Sequence, residues 1–76
     1  NGANVHKDYR GVGCPLNYVK AKLTLETMTS GQKLEVWLDD GEPIENVPNS
    51  LKLDGHTILN QERAPEGHWS VMVQKA

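Results

Sequence analysis

Glycine and proline residues divide this chain of 76 residues into six short segments, and this division limits what it can fold into. Gly and Pro are the strongest local markers of the ends of helices and strands. The markers are Gly11, Gly13, Gly31, Gly41, Gly55 and Gly67, with Pro15, Pro43, Pro48 and Pro65. A chain of this length holds one small core, so we expect a single domain over residues 1–76, complete or cut from a longer protein.

Hydrophobic periodicity within the segments predicts four strands and two helices. In chain order the expected elements are strand 3–9, helix 15–29, strand 33–39, helix 43–54, strand 56–63 and strand 68–75. The order β-α-β-α-β-β predicts an α/β (α+β) two-layer sandwich, with a mixed four-stranded sheet and both helices on one face. The other face would be open to water, with Trp37 on it. We expect Trp37 to pack there rather than stack on nucleic-acid bases, because no basic residues cluster around it.

Prolines and glycines also set the expected ends of the helices. Pro15 suits a first helical turn, where its missing N–H costs nothing, and Gly31 would end that helix. In the second helix, Pro48 would interrupt a continuous helix that spans the whole segment. We therefore expect the regular helix to start near Pro48, with Asn46 as its cap.

The composition excludes several classes of protein. The net charge of -2 gives no basic surface for nucleic acid or anionic membrane, and no apolar run approaches the roughly 20 residues of a membrane span. A single cysteine forms neither an internal disulfide nor a thiolate-rich zinc site. We expect a cytoplasmic monomer that holds no metal or cofactor and contacts neither nucleic acid nor membrane.

Cys14 is the residue with the clearest chemistry. It lies between Gly13 and Pro15, at the expected N-cap of the first helix. Unpaired backbone N–H groups and the helix dipole place about half a positive charge there. Such a position lowers the pKa of a thiol from about 8.5 into a range of about 3.5 to 7.5. The alternative, commoner for a lone cysteine, is a small buried hydrophobic residue.

The first helix carries two apolar stripes on roughly opposite sides. One contains Tyr18, Ala21, Leu25 and Met28, and the other contains Leu16, Val19 and Leu23. If the first stripe faces the sheet, the second either packs against the second helix, which is the simpler interpretation, or forms a docking patch for a partner protein. Lys20 and Lys22 would flank that patch and attract an acidic partner.

A string of landmarks resembles the TusA/SirA-like sulfur-carrier family. They are the run Asp8-Tyr9-Arg10-Gly11-Val12-Gly13-Cys14-Pro15, then Lys20, Gly31, Asp39-Asp40, Val47-Pro48 and Gly55-His56. The family pattern runs from Asp-Leu-Arg-Gly into Cys-Pro-x-Pro. The resemblance implies the same sandwich fold and a sulfurtransferase-like carrier. Such a carrier takes sulfane sulfur as a persulfide on Cys14 from a desulfurase or rhodanese type of donor, and passes it to an acceptor protein.

The chain departs from the family pattern at a few positions. Asn17 replaces the second proline of the motif, which makes the first turn less rigid but allows a hydrogen bond near the helix start. Asn46 replaces an aspartate. Arg10 would either stabilise the sulfur anion or pair with Asp8 or Asp39, and pairing is the favoured interpretation.

A non-catalytic interaction or regulatory module of the same fold is the alternative hypothesis to a carrier.

Overall fold

The computed structural model describes residues 3–13 and 15–76. Its elements are β1 (Val5–Asp8), α1 (Leu16–Glu26), β2 (Lys33–Leu38), α2 (Glu42–Leu53), β3 (Thr57–Arg63) and β4 (Trp69–Gln74). The strands form one sheet of order β1-β2-β4-β3, in which β1 is parallel to β2 and the other pairs are antiparallel. The predicted element order and mixed four-stranded sheet are confirmed.

The core lies between the helices and one face of the sheet. Leu34, Val36 and Leu38 are fully buried on alternate positions of β2, and Val71 and Val73 oppose two of them on β4. The helices cover this layer with buried side chains of their own: Ala21 and Leu25 from α1, and Val47 and Leu51 from α2. Strict alternation in β2 is therefore the pattern of a strand with one buried face.

The first helix is shorter than predicted at its C-terminal end. It ends at Glu26, with Thr27 as its C-cap. The Thr27 N–H and hydroxyl both donate to the Thr24 carbonyl, at 3.1 and 2.6 Å, which closes the last turn. Gly31 lies further on, with φ +90°, and donates its N–H to Lys75. The prediction that Gly31 ends this helix was wrong, because Gly31 shapes the turn into β2 instead.

The second helix begins earlier than predicted. Glu42 is its first residue, Gly41 is its N-cap with φ +97°, and Pro43 lies in its first turn. Pro48 is buried inside the helix, so the predictions of a start near Pro48 and of a cap at Asn46 were both wrong. The lost N–H of one proline is outweighed because the helix buries Val47 and Leu51 in the core.

Trp37 lies on the open face of the sheet, as expected, but its surroundings differ from the prediction. The Arg10 guanidinium carbon is 4.7 Å from the ring centroid of Trp37, and the rings of His6 and His68 are each 4.6 Å away. The expectation that no basic residues cluster around Trp37 was wrong. These neighbours come from separate segments that the fold brings together.

Within residues 3–13 and 15–76, no helix is long and apolar enough to cross a membrane.

Candidate functional site

The loop from β1 to α1 is fixed by contacts with β2 and α1. Tyr9 is buried; its N–H donates to the Trp37 carbonyl at 3.0 Å, and its hydroxyl lies 3.0 Å from the hydroxyl of Thr24. The Gly11 N–H donates to the Asp39 carboxylate at 2.7 Å. Gly11 has φ +80°, a backbone conformation that favours glycine. Cys14 itself lies outside the described residues, so the structure defines its site through the residues on either side.

Arg10 is held by Asp8, one of the two partners suggested by the sequence. Its Nε and Nη2 atoms donate to the two carboxylate oxygens at 2.9 and 2.7 Å, and its backbone N–H adds a third bond at 3.0 Å. These hydrogen bonds lower the pKa of Asp8 to about 2, and Asp8 in turn raises the pKa of Arg10. The charge of Arg10 is therefore balanced by Asp8 within the loop.

The assigned start of α1 and its first helical hydrogen bond lie at different residues. The helix begins at Leu16 with Pro15 as its N-cap, one residue later than the prediction that placed Pro15 inside the first turn. The carbonyl of this N-cap accepts the Val19 N–H at 3.0 Å, and one hydrogen bond reaches back further, from the Asn17 N–H to the Gly13 carbonyl at 3.1 Å. The assigned N-cap, Pro15, and the first hydrogen-bonded carbonyl, that of Gly13, are two residues apart, as is usual at helix ends. The prediction that Cys14 is the N-cap lies outside the described residues.

Asn17 forms a hydrogen bond near the helix start, as its replacement of a proline suggested. It is fully buried, and its Oδ1 accepts the Tyr18 N–H at 2.7 Å. Its Nδ2 is buried and has no hydrogen-bond partner among the described residues. The first turn is thus held by hydrogen bonds from both the backbone and the side chain of Asn17.

The second apolar stripe of α1 faces solvent. Leu16 is 54% exposed, Val19 40% and Leu23 56%, and Lys20 is exposed beside them. We call these four residues the outer face of α1. The interpretation that this stripe packs against α2 was wrong. The other stripe is turned inward, and its Tyr18 hydroxyl donates to Asp54 at the end of α2.

An acidic cleft of about 450 Å³ lies beside the loop. Its lining includes Gly11, Val12 and Gly13, Asp39 and Asp40 from the β2–α2 connection, and Glu42 at the start of α2. Trp69 Nε1 donates to Asp40 at 2.9 Å and lowers the pKa of that carboxyl. In the sequence, Asp39-Asp40 was only a family landmark, and Asp39 was a possible partner of Arg10. Asp39 instead accepts the Gly11 N–H, a contact that was not predicted.

Comparison with solved structures identifies the fold. A SirA-like protein of Desulfitobacterium hafniense superimposes with a TM-score of 0.82 and 20% identity, covering 92% of this chain and 95% of that one. A Helicobacter pylori protein gives a TM-score of 0.72 and 22% identity over the same shares. The chain therefore has the SirA-like fold, as predicted.

Comparison of sequences identifies the family. The model of the family described as sulfurtransferase TusA matches residues 6–75. A candidate sulfur carrier protein of Archaeoglobus fulgidus is 38% identical over 73 residues, which are 96% of this chain and 83% of that protein. The sulfur carrier protein TusA of Allochromatium vinosum is 29% identical, with 91% and 90% covered. The chain belongs to the TusA family of sulfurtransferases, and the family predicted from the sequence is confirmed.

Proposed function

We propose that this sulfur carrier holds sulfane sulfur as a persulfide on Cys14 and relays it from a donor protein to an acceptor protein. The observation that carries the proposal is the hydrogen bond from the Asn17 N–H to the Gly13 carbonyl, at 3.1 Å. This bond joins residues four apart, as in a helix, and its acceptor is the residue before Cys14. The partial positive charge of a helix N-terminus is concentrated in its first turn, where it stabilises a thiolate.

The transfer needs only thiol–disulfide type exchange. The Cys14 thiolate attacks the outer sulfur of a donor persulfide, a new S–S bond forms, and the donor leaves as a thiolate. An acceptor thiolate then attacks the outer sulfur on Cys14, and Cys14 leaves as a thiolate. Atoms and electrons balance in both steps without an oxidant, and a thiol with a pKa near ambient pH is the best attacking group.

The neighbouring residues have positioning roles in this proposal. Pro15 fixes the backbone at the start of α1, and Asn17 holds the first turn by its hydrogen bonds. A Cβ atom added to Gly13 would meet nothing within 4 Å, so the space beside this residue is open to an approaching partner. Arg10 fixes the preceding loop through Asp8 and Trp37.

Two electrostatic effects oppose each other at the site. The first turn of α1 contains no acidic residue, so the positive end of the helix is not neutralised by its own side chains. The Asp39 carboxylate lies beside the loop, but it accepts the Gly11 N–H at 2.7 Å. Part of its negative charge is therefore taken up by a backbone donor. We infer that the helix end dominates and that Cys14 is ionised near neutral pH.

The outer face of α1 is the docking surface in this proposal. Leu16, Val19 and Leu23 offer apolar area that starts two residues after Cys14 in the sequence. Lys20, exposed beside them, would attract an acidic rim on the donor or acceptor. We propose that both partners use this face in turn.

The carrier would act as a monomer in the cytoplasm, where thiols stay reduced, without contacting nucleic acid or membrane.

Persulfide loading tests the proposal. The protein is incubated with a cysteine desulfurase and cysteine, and its intact mass is measured without reductant. We expect a gain equal to one sulfur atom, lost on treatment with a reductant and absent in Cys14→Ala. No gain, or a gain that remains in Cys14→Ala, would contradict a persulfide on Cys14 and favour a non-catalytic module of the same fold.

A further inference from the structure

Asn17 carries a buried hydrogen-bond donor that has no partner in the described part of the chain. The residue is fully buried, and its Nδ2 atom bonds to nothing among residues 3–13 and 15–76. Buried polar atoms are nearly always paired, and an unpaired one in a native protein calls for a structural or catalytic reason. A leucine would fill similar space without a buried polar group, so the amide needs a partner to justify its place.

The backbone fixes the orientation of the Asn17 amide. Its Oδ1 accepts the Tyr18 N–H at 2.7 Å. A reversed amide would bring two donors together, so Nδ2 is the end of the group that is not bound to Tyr18. Because Oδ1 accepts an N–H of the first turn, the amide is polarised and its own N–H groups become stronger donors.

The position of Asn17 in the first turn directs this donor toward Cys14. The Asn17 N–H donates to the Gly13 carbonyl at 3.1 Å, so Asn17 lies one helical turn above Gly13. Helical side chains lean toward the N-terminus of their helix, over the preceding turn. Cys14 is three residues before Asn17 in the sequence, at a spacing that brings side chains together on one face.

Elimination also points to Cys14. Apart from Cys14, the residues outside the described part of the chain are 1 and 2. They precede Asn4, whose N–H donates to the Lys33 carbonyl at the start of β2, whereas α1 follows the opposite end of β1. Cys14 is therefore the one of them within reach of Nδ2. A thiolate accepts N–H groups, and hydrogen bonds to a charged acceptor are the stronger ones.

We propose that Asn17 Nδ2 donates a hydrogen bond to the sulfur of Cys14. The bond favours the thiolate over the thiol, because the charged form is the better hydrogen-bond acceptor. One side of the sulfur is then held from within the protein, and the other side is left to the donor and acceptor proteins. The inference rests on the proposed function, which makes Cys14 the sulfur-carrying residue, but its test reads the hydrogen bond and not sulfur loading.

NMR on the full chain tests the bond without altering Asn17. The side-chain amide protons of Asn17 are followed from about pH 4 to about pH 10, a range that spans the ionisation of a cysteine thiol. We expect one of them to move downfield with the midpoint of thiol alkylation, and this titration to vanish in Cys14→Ala. The side-chain amide of Asn46, exposed on α2, should not follow it. No shift at that midpoint, or a shift that remains in Cys14→Ala, would overturn the proposal.

A matched pair of variants measures what the bond contributes. Asn17→Leu removes the donor, so the pKa of the Cys14 thiol should rise by about 1 to 2 pH units, the effect of one hydrogen bond to a charged group. The freed Tyr18 N–H would act in the opposite direction, so a rise reports the loss of Nδ2. Asn46→Leu makes the same substitution at an exposed position and should leave this pKa unchanged. Equal pKa values in the two variants would overturn the proposal.

The charged groups of the neighbouring elements are the same in both variants, so they do not affect this comparison. They are Asp8 and Arg10 before Gly11, Asp39, Asp40 and Glu42 beside the acidic cleft, and Lys20 on α1.

Failure of this inference is distinct from failure of the proposed function. If a persulfide forms on Cys14 while the Asn17 protons do not follow its ionisation, sulfur is carried without this bond and the inference is overturned. If the protons follow the ionisation while no persulfide forms, the bond is supported and the carrier role fails.

Discussion

The Asn17 N–H donates to the Gly13 carbonyl at 3.1 Å, and the Asn17 side chain accepts the next N–H, from Tyr18, at 2.7 Å. A proline at this position, as in the motif that the sequence resembles, would have no N–H to donate and would stiffen the turn through its ring. Asn17 instead contributes both of these hydrogen bonds to the start of α1.

The first prediction concerns the burial of Asn17. In Asn17→Asp the side chain keeps its shape but becomes a carboxylate at a fully buried position. We expect a loss of about 3 kcal/mol in the free energy of unfolding near neutral pH. Burial would raise the pKa of this carboxyl above that of the unfolded chain. Relative to the parent, the variant should therefore lose least stability below about pH 4 and progressively more as pH rises.

Urea unfolding at about pH 3 and about pH 7 measures this effect. Asn46→Asp is the matched control, because Asn46 is exposed on α2. It should change the free energy of unfolding by less than about 0.5 kcal/mol. Equal effects of the two substitutions would show that Asn17 is not buried.

The second prediction compares two leucines on α1. Leu25 is fully buried and Leu23 is 56% exposed, although they lie two residues apart. Leu25→Ala should cost about 2 to 5 kcal/mol, because it leaves a cavity in the core. Leu23→Ala should cost less than about 0.5 kcal/mol. Denaturant unfolding measures both, and a large loss in Leu23→Ala would show that the outer face of α1 is covered.

The third prediction uses Leu23→Ala to test docking. Because it removes exposed apolar area from the outer face of α1, we expect it to slow persulfide loading by the donor while the fold stays intact. Leu53→Ala is the control, since Leu53 is 89% exposed at the end of α2. The rate of mass gain measures the effect. Equal rates for the two variants would place the docking surface elsewhere.

The fourth prediction concerns the pairing of Asp8 with Arg10. Hydrogen bonds from Arg10 lower the pKa of Asp8 to about 2, below its unfolded value. The pair therefore stabilises the folded chain above about pH 4, and this contribution is lost as pH falls toward about 2. Carboxyl NMR should show Asp8 titrating near the low value, and Arg10→Gln should return it toward the ordinary range. Arg63→Gln, which affects the ion pair with Asp40, should leave Asp8 unchanged.

Much of the fold follows from local patterns in the sequence. The alternation of Leu34, Val36 and Leu38 is sufficient to predict β2 and its buried face. The start of α2 could not be predicted in the same way. It depends on the burial of Val47 and Leu51 exceeding the cost of Pro48, and burial is decided by tertiary packing.

Only part of the candidate site could be predicted from the sequence. Arg10 and Asp8 are two residues apart, so their pairing could be anticipated. The meeting of Arg10 with Trp37 and His68 could not, because it depends on β2 lying between β1 and β4. The sequence likewise shows two stripes on α1 but not which one is left uncovered, since the position of α2 is set by the whole core.

The pKa of Cys14 decides whether its sulfur is an anion at neutral pH. It can be measured as the pH dependence of the rate at which iodoacetamide alkylates the single thiol of the folded chain. We expect a pKa between about 3.5 and 7.5, the range of thiols at helix N-termini. A pKa at or above about 8.5, the value of a free cysteine, would contradict an anionic sulfur at the start of α1.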